Sequence, residues 1–143
     1  MIDASYNALL SDFGFSRIRH DITRSHTNIR EGGRLRFLAP ELSAGFNEKF
    51  RTSSSSDIFS FSLTVLNAWA GEVPFPEHND WAATAVIRKN QRPNRPVTNI
   101  NLPPETEHEL WLLLVEMWAH EASSRPSTED VCRRLETCLG PFS

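Results

Sequence analysis

One segment in the middle of the 143-residue chain limits the choice of fold more than any other. Four consecutive serines lead into the stretch 57–70, which is dominated by Ile, Phe, Leu, Val, Ala and Trp and is followed by Gly71. The serines can cap the start of a helix, Asp57 suits the positive end of the helix dipole, and a glycine can end the helix. Because no side of this helix is strongly polar, the sequence predicts that it is buried in the middle of its domain.

Three further helices are predicted after this central helix. The first covers roughly 81–89, and the second covers 105–118, where apolar residues recur at helical spacing. The proline-rich stretch 92–96 could be a polyproline ligand, but we interpret it as a rigid connector. Ser127 is the predicted N-cap of the last helix, with Asp130 at the third helical position. The apolar stripe of that helix is predicted to contain Val131, Leu135, Cys138 and Leu139.

The chain before the central helix is less regular. Residues 2–3 and 8–11 are typical of two short strands around a turn, which predicts a small hairpin over 1–11. From residue 12 to about 37 the sequence has no sustained period of 2 or 3.6. Loops of this length are uncommon inside a compact domain and are usually functional. We therefore expect residues with a functional role in this loop.

Composition excludes several classes of protein. Apolar residues make up 39% of the chain and its net charge is −3, which fits one domain with a real core. The longest apolar stretch, 110–119, contains Glu116 and is far shorter than the roughly 20 residues that cross a bilayer. We therefore expect no membrane span, no nucleic-acid partner and a cytoplasmic location.

The two cysteines do not predict a disulfide or a metal site. Cys132 and Cys138 lie in one predicted helix, with their Cα atoms about 9 Å apart, which is beyond disulfide reach. We expect two half-buried free thiols. The five histidines show no zinc-like spacing with either cysteine, so no zinc site is predicted.

Two tripeptides frame the long loop: Asp-Phe-Gly at 12–14 and Ala-Pro-Glu at 39–41. A given tripeptide occurs by chance in about 2% of chains of this length, but the two in this order are specific. Here the sequence resembles the C-terminal part of a eukaryotic protein kinase catalytic domain. Stretches 56–61, 71–75 and 117–127 continue the resemblance. Two stretches are most similar to the tyrosine-kinase-like group of serine/threonine kinases: residues 33–41 and the C-terminal stretch that contains Trp118 and Arg125.

This resemblance implies a mainly α fold, the helical C-terminal lobe of a kinase with a short N-terminal β-hairpin. The implied division is a hairpin at 1–11, an activation segment at 12–41 and a helical subdomain at 42–143. In such a domain Asp12 would bind Mg²⁺ on the ATP phosphates, Phe13 packing would set the direction of Asp12, and Gly14 would allow that motion.

Other matched residues would hold shape. Glu41 and Arg125 would form a buried ion pair that anchors the activation segment, and Asp57 would accept backbone hydrogen bonds from the catalytic loop. The residues to which the resemblance gives a structural role are Ala39, Pro40, Glu41, Asp57, Trp118 and Arg125.

The loop also carries candidate regulatory residues. Thr23, Ser25 and Thr27 lie where the family places regulatory phosphorylation, near several arginines that include Arg34 and Arg36. A phosphate there could order the loop through charge-assisted bonds to arginine, and a solvated polar loop is the alternative. Arg34 also replaces the Thr or Ser that helps seat the substrate hydroxyl in most serine/threonine kinases.

Several parts of a kinase active site have no counterpart in the 143 residues. The chain has no G-x-G loop, neither Lys49 nor Lys89 lies in a predicted strand, and no His-x-Asp catalytic loop is found. We expect the chain to begin where the catalytic loop ends and to be inactive alone. The alternatives are a pseudokinase-like interaction module and an unrelated helical domain. We also expect marginal stability and self-association through exposed apolar surface.

Overall fold

The computed structural model describes residues 35–43, 52–97 and 102–140, and these residues are helices joined by short connections. The α-helices are α1 (Pro40–Ser43), α2 (Ser54–Ala70), α3 (Asp80–Arg88), α4 (Pro104–Met117) and α5 (Thr128–Leu139), with short 3-10 helices at Leu35–Phe37 and Ala122–Ser124. No strand occurs within these ranges. The predicted hairpin at 1–11 and most of the loop that follows lie outside the described residues.

The predicted central helix is α2, and its ends are set by local chemistry. The Ser53 side chain accepts a hydrogen bond from the backbone N–H of Ser56, and the Ser56 hydroxyl accepts one from the backbone N–H of Ser53. This capping box starts the helix three residues before Asp57, where the apolar pattern begins. Gly71 ends the helix at φ 72°, a left-handed conformation that glycine adopts without steric cost.

The core forms around one side of α2. Phe59 and Leu63 are fully buried, and they belong to an apolar cluster with side chains from every other α-helix. The opposite side of α2 is exposed at Asp57, Phe61 and Thr64. The expectation that α2 is buried all round is therefore wrong for this side of the helix in this chain.

The predicted helices after α2 are confirmed with shifts of one residue at their ends. Ser127 caps α5 as expected, since its side chain accepts a hydrogen bond from the backbone N–H of Asp130. Val131 and Leu135 are buried, but Leu139 is exposed because it is the last residue of the helix. The two cysteines are free; Cys138 is half-buried, whereas Cys132 is exposed rather than half-buried.

Candidate functional site

The described residues 35–43 form a short segment that we call the anchored segment. It contains the 3-10 helix Leu35–Phe37 and helix α1. Neither helix exceeds one turn, so neither is stable by itself. Its position is instead set by contacts that both of its ends make with the helical core.

The C-terminal end is held by a two-point ion pair. Arg125 donates from Nη1 to Glu41 Oε1 at 2.7 Å and from Nη2 to Glu41 Oε2 at 2.8 Å. This parallel arrangement matches the planar guanidinium to the carboxylate and is the strongest form of the contact. The structure therefore contains the ion pair that joins two residues 84 positions apart.

The Arg125 guanidinium also donates hydrogen bonds to three backbone carbonyls. Its Nε donates to Ala119 O at 2.9 Å, Nη1 donates to Ser55 O at 2.8 Å, and Nη2 donates to His120 O at 3.2 Å. The guanidinium also lies 5.0 Å from the centre of the Phe59 ring, a cation–π distance. Arg125 thus ties α1 to the start of α2 and to the chain that follows α4.

The two partners differ in their exposure. The Arg125 side chain is fully covered, whereas the Glu41 side chain keeps 33% of its surface exposed. The expected buried ion pair is therefore buried on the Arg125 side and partly exposed on the Glu41 side. Burial would raise the pKa of Glu41, but the hydrogen bonds and charge of Arg125 outweigh it and hold that pKa below its usual range.

The N-terminal end of the anchored segment is held by Arg36. Its Nε donates to Asp80 Oδ1 at 2.6 Å, and its Nη atoms donate to Pro74 O at 3.0 Å and His78 O at 3.2 Å. The guanidinium is buried among these acceptors. Arg36 is therefore engaged with α3 and the loop before it, rather than being free to receive a phosphate.

Two backbone details support this end of the segment. The Thr84 hydroxyl on α3 lies 2.8 Å from Asp80 O and 3.2 Å from Leu35 O, so its one hydrogen is shared between its own helix and the anchored segment. Phe75 has φ 55°, an uncommon conformation for a residue other than glycine, and its carbonyl also accepts from Arg36 at 3.4 Å. The arginine thus holds in place a turn that is strained locally.

A third arginine, Arg92, lies in the connector after α3. It donates from Nε to Trp118 O at 2.8 Å and from Nη1 to Ile87 O at 3.1 Å. Residues 91–97 form neither helix nor strand, and these contacts tie Arg92 to the end of α3 and to the residue after α4. We call residues 91–97, which include the predicted connector 92–96, the connector. The connector and the loop 72–78 form the walls of a groove of about 590 Å³.

Sequence comparison now decides the family. A family profile described as protein tyrosine and serine/threonine kinase matches residues 1–135. The chain belongs to this kinase family. Kinases of this family use ATP and Mg²⁺ to phosphorylate proteins.

Individual kinases match over nearly the whole chain. Serine/threonine-protein kinase TNNI3K of Mus musculus is 29% identical over 133 residues, which are 93% of this chain and 15% of that protein. Dual specificity protein kinase pyk3 of Dictyostelium discoideum is 31% identical over 147 residues, covering 99% of this chain and 10% of its own length. Proline-rich receptor-like protein kinase PERK3 of Arabidopsis thaliana is 28% identical over 154 residues, which cover 99% of this chain and 29% of that protein.

The match is to a small part of each relative. The chain spans 15%, 10% and 29% of the length of these three kinases. Family membership is therefore established for this chain, whereas the activity, substrates and partners of a whole protein are not given by these matches.

Three further residues to which the kinase resemblance gives a structural role are buried. Ala39 and Pro40 are buried at the start of α1, and Trp118 is buried against the ring of Trp111, with ring centres 5.4 Å apart. The predicted nucleotide and activation residues lie outside the described residues: Asp12, Phe13, Gly14, Thr23, Ser25, Thr27 and Arg34.

Asp57 has no hydrogen-bond partner among the described residues. The residue as a whole is exposed, but the surroundings of its carboxyl group at the start of α2 partly exclude water, which raises the pKa of that group; no donor among the described residues offsets this effect. The proposed role of Asp57, to accept hydrogen bonds from a catalytic loop, remains a prediction.

Sequence reasoning did not find the positions of Arg36 and Arg92. A usable signal is present at Arg36, because a single arginine among Leu35, Phe37 and Leu38 is a charge in an apolar stretch and needs a buried partner. The sequence contains no sign that Asp80 is that partner. Across the described ranges no helix is long and apolar enough to span a membrane, and no cluster of metal-ligating side chains is found.

Proposed function

We propose that the chain is the helical-lobe portion of a protein kinase that transfers phosphate from Mg-ATP to serine or threonine hydroxyls of proteins. The family match over residues 1–135 and the serine/threonine kinases among the relatives support this proposal. The observation that carries it is the two-point contact between Glu41 and Arg125, which holds the anchored segment on the helical core where the proposal places the end of an activation segment.

Within that proposal each matched residue has a physical task. Asp12 would supply a hard carboxylate oxygen to Mg²⁺, and the packing of Phe13 would set its direction, with Gly14 as the flexible point. The bound nucleotide and metal supply the phosphoryl group and neutralise its charge. Phosphorylation of Thr23, Ser25 or Thr27 would add a charge that arginines of the loop can bind.

We propose further that these 143 residues alone do not transfer phosphate. The sequence contains no G-x-G loop, no strand lysine and no catalytic-loop aspartate, and those groups hold the nucleotide and orient the substrate. Asp12 without them would have a metal-binding carboxylate but no complete nucleotide site. We place the protein in the cytoplasm as part of the same proposal.

The test compares the purified chain with its Asp12→Ala variant. Both are incubated with radiolabelled ATP, Mg²⁺ and a generic protein substrate, and label in the substrate and in the chain itself is measured. We expect no label above the Asp12→Ala control. Label that depends on Asp12 would overturn the proposed inactivity and would leave the kinase assignment intact.

A non-catalytic interaction module is the second candidate function. Arg34 favours it, because that residue stands where most serine/threonine kinases have the hydroxyl that helps seat the substrate. Exposed apolar side chains such as Trp81, Leu112 and Val115 also give the helical lobe surface that a protein can bind. A stable monomer that captures one protein specifically would favour this function, and self-association alone would count against it.

A further inference from the structure

Two arginines lie against the same aromatic ring in the core. The Cζ atom of Arg125 is 5.0 Å from the centre of the Phe59 ring, and the Cζ atom of Arg92 is 5.3 Å from it. Phe59 itself is completely buried. Two positive charges are therefore held close to one side chain in a region of low dielectric constant, where like charges repel each other more strongly than in water.

The two arginines also donate to neighbouring backbone carbonyls. Arg92 Nε donates to Trp118 O, Arg125 Nε donates to Ala119 O, and Arg125 Nη2 donates to His120 O. These three consecutive carbonyls follow the C-terminus of α4, which carries the negative end of its helix dipole. These carbonyls accept hydrogen bonds from the two guanidinium groups near Phe59 but carry no full negative charge.

Only one carboxylate serves the two charges within the described ranges. Glu41 pairs with Arg125, while Arg92 makes its hydrogen bonds to backbone carbonyls alone and leaves its Nη2 buried and without a partner. Burial and the nearby charge of Arg125 lower the pKa of Arg92 to about 10. This direction agrees with the geometry, because both causes make the charged form of Arg92 less favourable.

We infer that Arg92 is a third charged member of the Glu41–Arg125 site and acts as a positioning residue for it. The Glu41 carboxylate balances the charges of both arginines, so its loss leaves two guanidinium groups near Phe59 without a carboxylate partner. The position of the anchored segment is thereby coupled to the connector 91–97, which forms one wall of the groove. This inference is independent of the proposed catalytic function, since it concerns contacts within the chain alone.

The test is a double-mutant cycle in the full chain, read by urea unfolding. Glu41→Gln keeps the shape of the side chain and removes its charge, and Arg92→Met keeps an apolar stem over Phe59 and removes the other charge. Glu41→Gln reduces the folding equilibrium constant by some factor in each background. We expect this factor to be at least about fivefold smaller in the Arg92→Met background than in the natural chain. The reason is that, in the Arg92→Met background, Arg125 is the one arginine of the pair left without the Glu41 charge.

A conservative variant separates charge from lost hydrogen bonds. Arg92→Lys also disrupts the planar contacts with Trp118 and Ile87 but keeps the positive charge. We expect Glu41→Gln to be as costly in the Arg92→Lys background as in the natural chain. If Lys and Met give the same result, Arg92 acts through its hydrogen bonds and the inference is wrong.

Arg95 provides a matched control in the same connector. It too lies near an aromatic ring, with its Cζ 6.0 Å from the centre of a Trp69 ring, but its carboxylate partner is Glu107. We expect Arg95→Met and Glu41→Gln to be additive. Coupling as large as that of Arg92→Met would overturn the inference, because it would show that the effect is not specific to the Phe59 pair.

All variants are measured in a buffer with sucrose, which favours the folded state of weakened proteins. If Glu41→Gln is unfolded even there, we expect Arg92→Met to restore folding and Arg92→Lys not to restore it. A Glu41→Gln, Arg92→Met double variant that stays unfolded counts against the inference.

Discussion

The two ends of the anchored segment are held by the same chemistry with the charges reversed. At the C-terminal end the segment supplies the acid, Glu41, and the helical core supplies the arginine, Arg125. At the N-terminal end the segment supplies the arginine, Arg36, and α3 supplies the acid, Asp80. In both cases the guanidinium is the deeper partner and also binds several backbone carbonyls.

The two ends differ in the number of carboxylate oxygens that the arginine binds and in how far its side chain is buried. Arg125 uses both Nη atoms on both Glu41 oxygens and has no exposed side-chain surface. Arg36 reaches only one oxygen of Asp80 and keeps 10% of its side chain exposed. The difference indicates that the C-terminal end is the stronger anchor and that the N-terminal end is the one that can release first.

Loss of Arg125 should have the largest effect. Arg125→Met removes the ion pair and leaves the carbonyls of Ser55, Ala119 and His120 without their donor. We expect the free energy of unfolding to fall by about 3–5 kcal/mol, measured by urea denaturation. Arg133→Met on the exposed side of α5 is the control and should change it by less than about 0.5 kcal/mol. If Arg125→Met lowers the free energy of unfolding by less than Arg36→Met does, the N-terminal end is the stronger anchor and the ranking of the two ends is reversed.

Loss of Arg36 should have a smaller and more local effect. Arg36→Met removes the bonds to Asp80 and to the carbonyls of the loop 72–78, and we expect a loss of about 2–3 kcal/mol. Amide hydrogen exchange provides the local readout. The backbone N–H of Leu38 should exchange faster, while that of Leu42, near the Glu41 anchor, should change less.

Arg88→Met is the matched control for this prediction, since Arg88 is exposed on α3 and is close in sequence to Asp80. It should leave exchange of Leu38 unchanged. Equal acceleration at Leu38 and Leu42 in Arg36→Met would show that the two ends release together rather than separately.

The sequence predicted the helices better than the contacts that give them function. The serine run, Gly71 and the 3.6-residue spacing are local signals, so α2 to α5 could be placed to within a few residues. The pairing of Glu41 with Arg125 came from the family resemblance, because residues 84 positions apart leave no local trace. Arg36 and Arg92 were not placed, since their partners are mostly backbone carbonyls, which every residue carries.

Lower pH should weaken the C-terminal anchor. Because the pKa of Glu41 is lowered in the folded state, its contribution is complete above the ordinary glutamate pKa of about 4.3 and is lost as pH falls through the lowered value. We expect the stability difference between the natural chain and Glu41→Gln to be largest near pH 7 and to shrink towards pH 3. A difference that is the same at both pH values would mean that the Glu41 charge contributes nothing to this end.

The smallest effect is expected at Asp57, which has neither an arginine nor a hydrogen-bond donor among the described residues. Burial raises the pKa of this carboxyl, so the folded state favours its protonated form and stability falls as pH rises through the ordinary and then the raised pKa. This sign is opposite to that of Glu41. We expect Asp57→Asn to raise the melting temperature slightly at pH 7, because solvent screens this exposed residue, and to give no increase at pH 3. A decrease at pH 7 would mean that the charge of Asp57 interacts favourably with the start of α2 or with a partner, and that it belongs with Glu41 among the stabilising carboxylates.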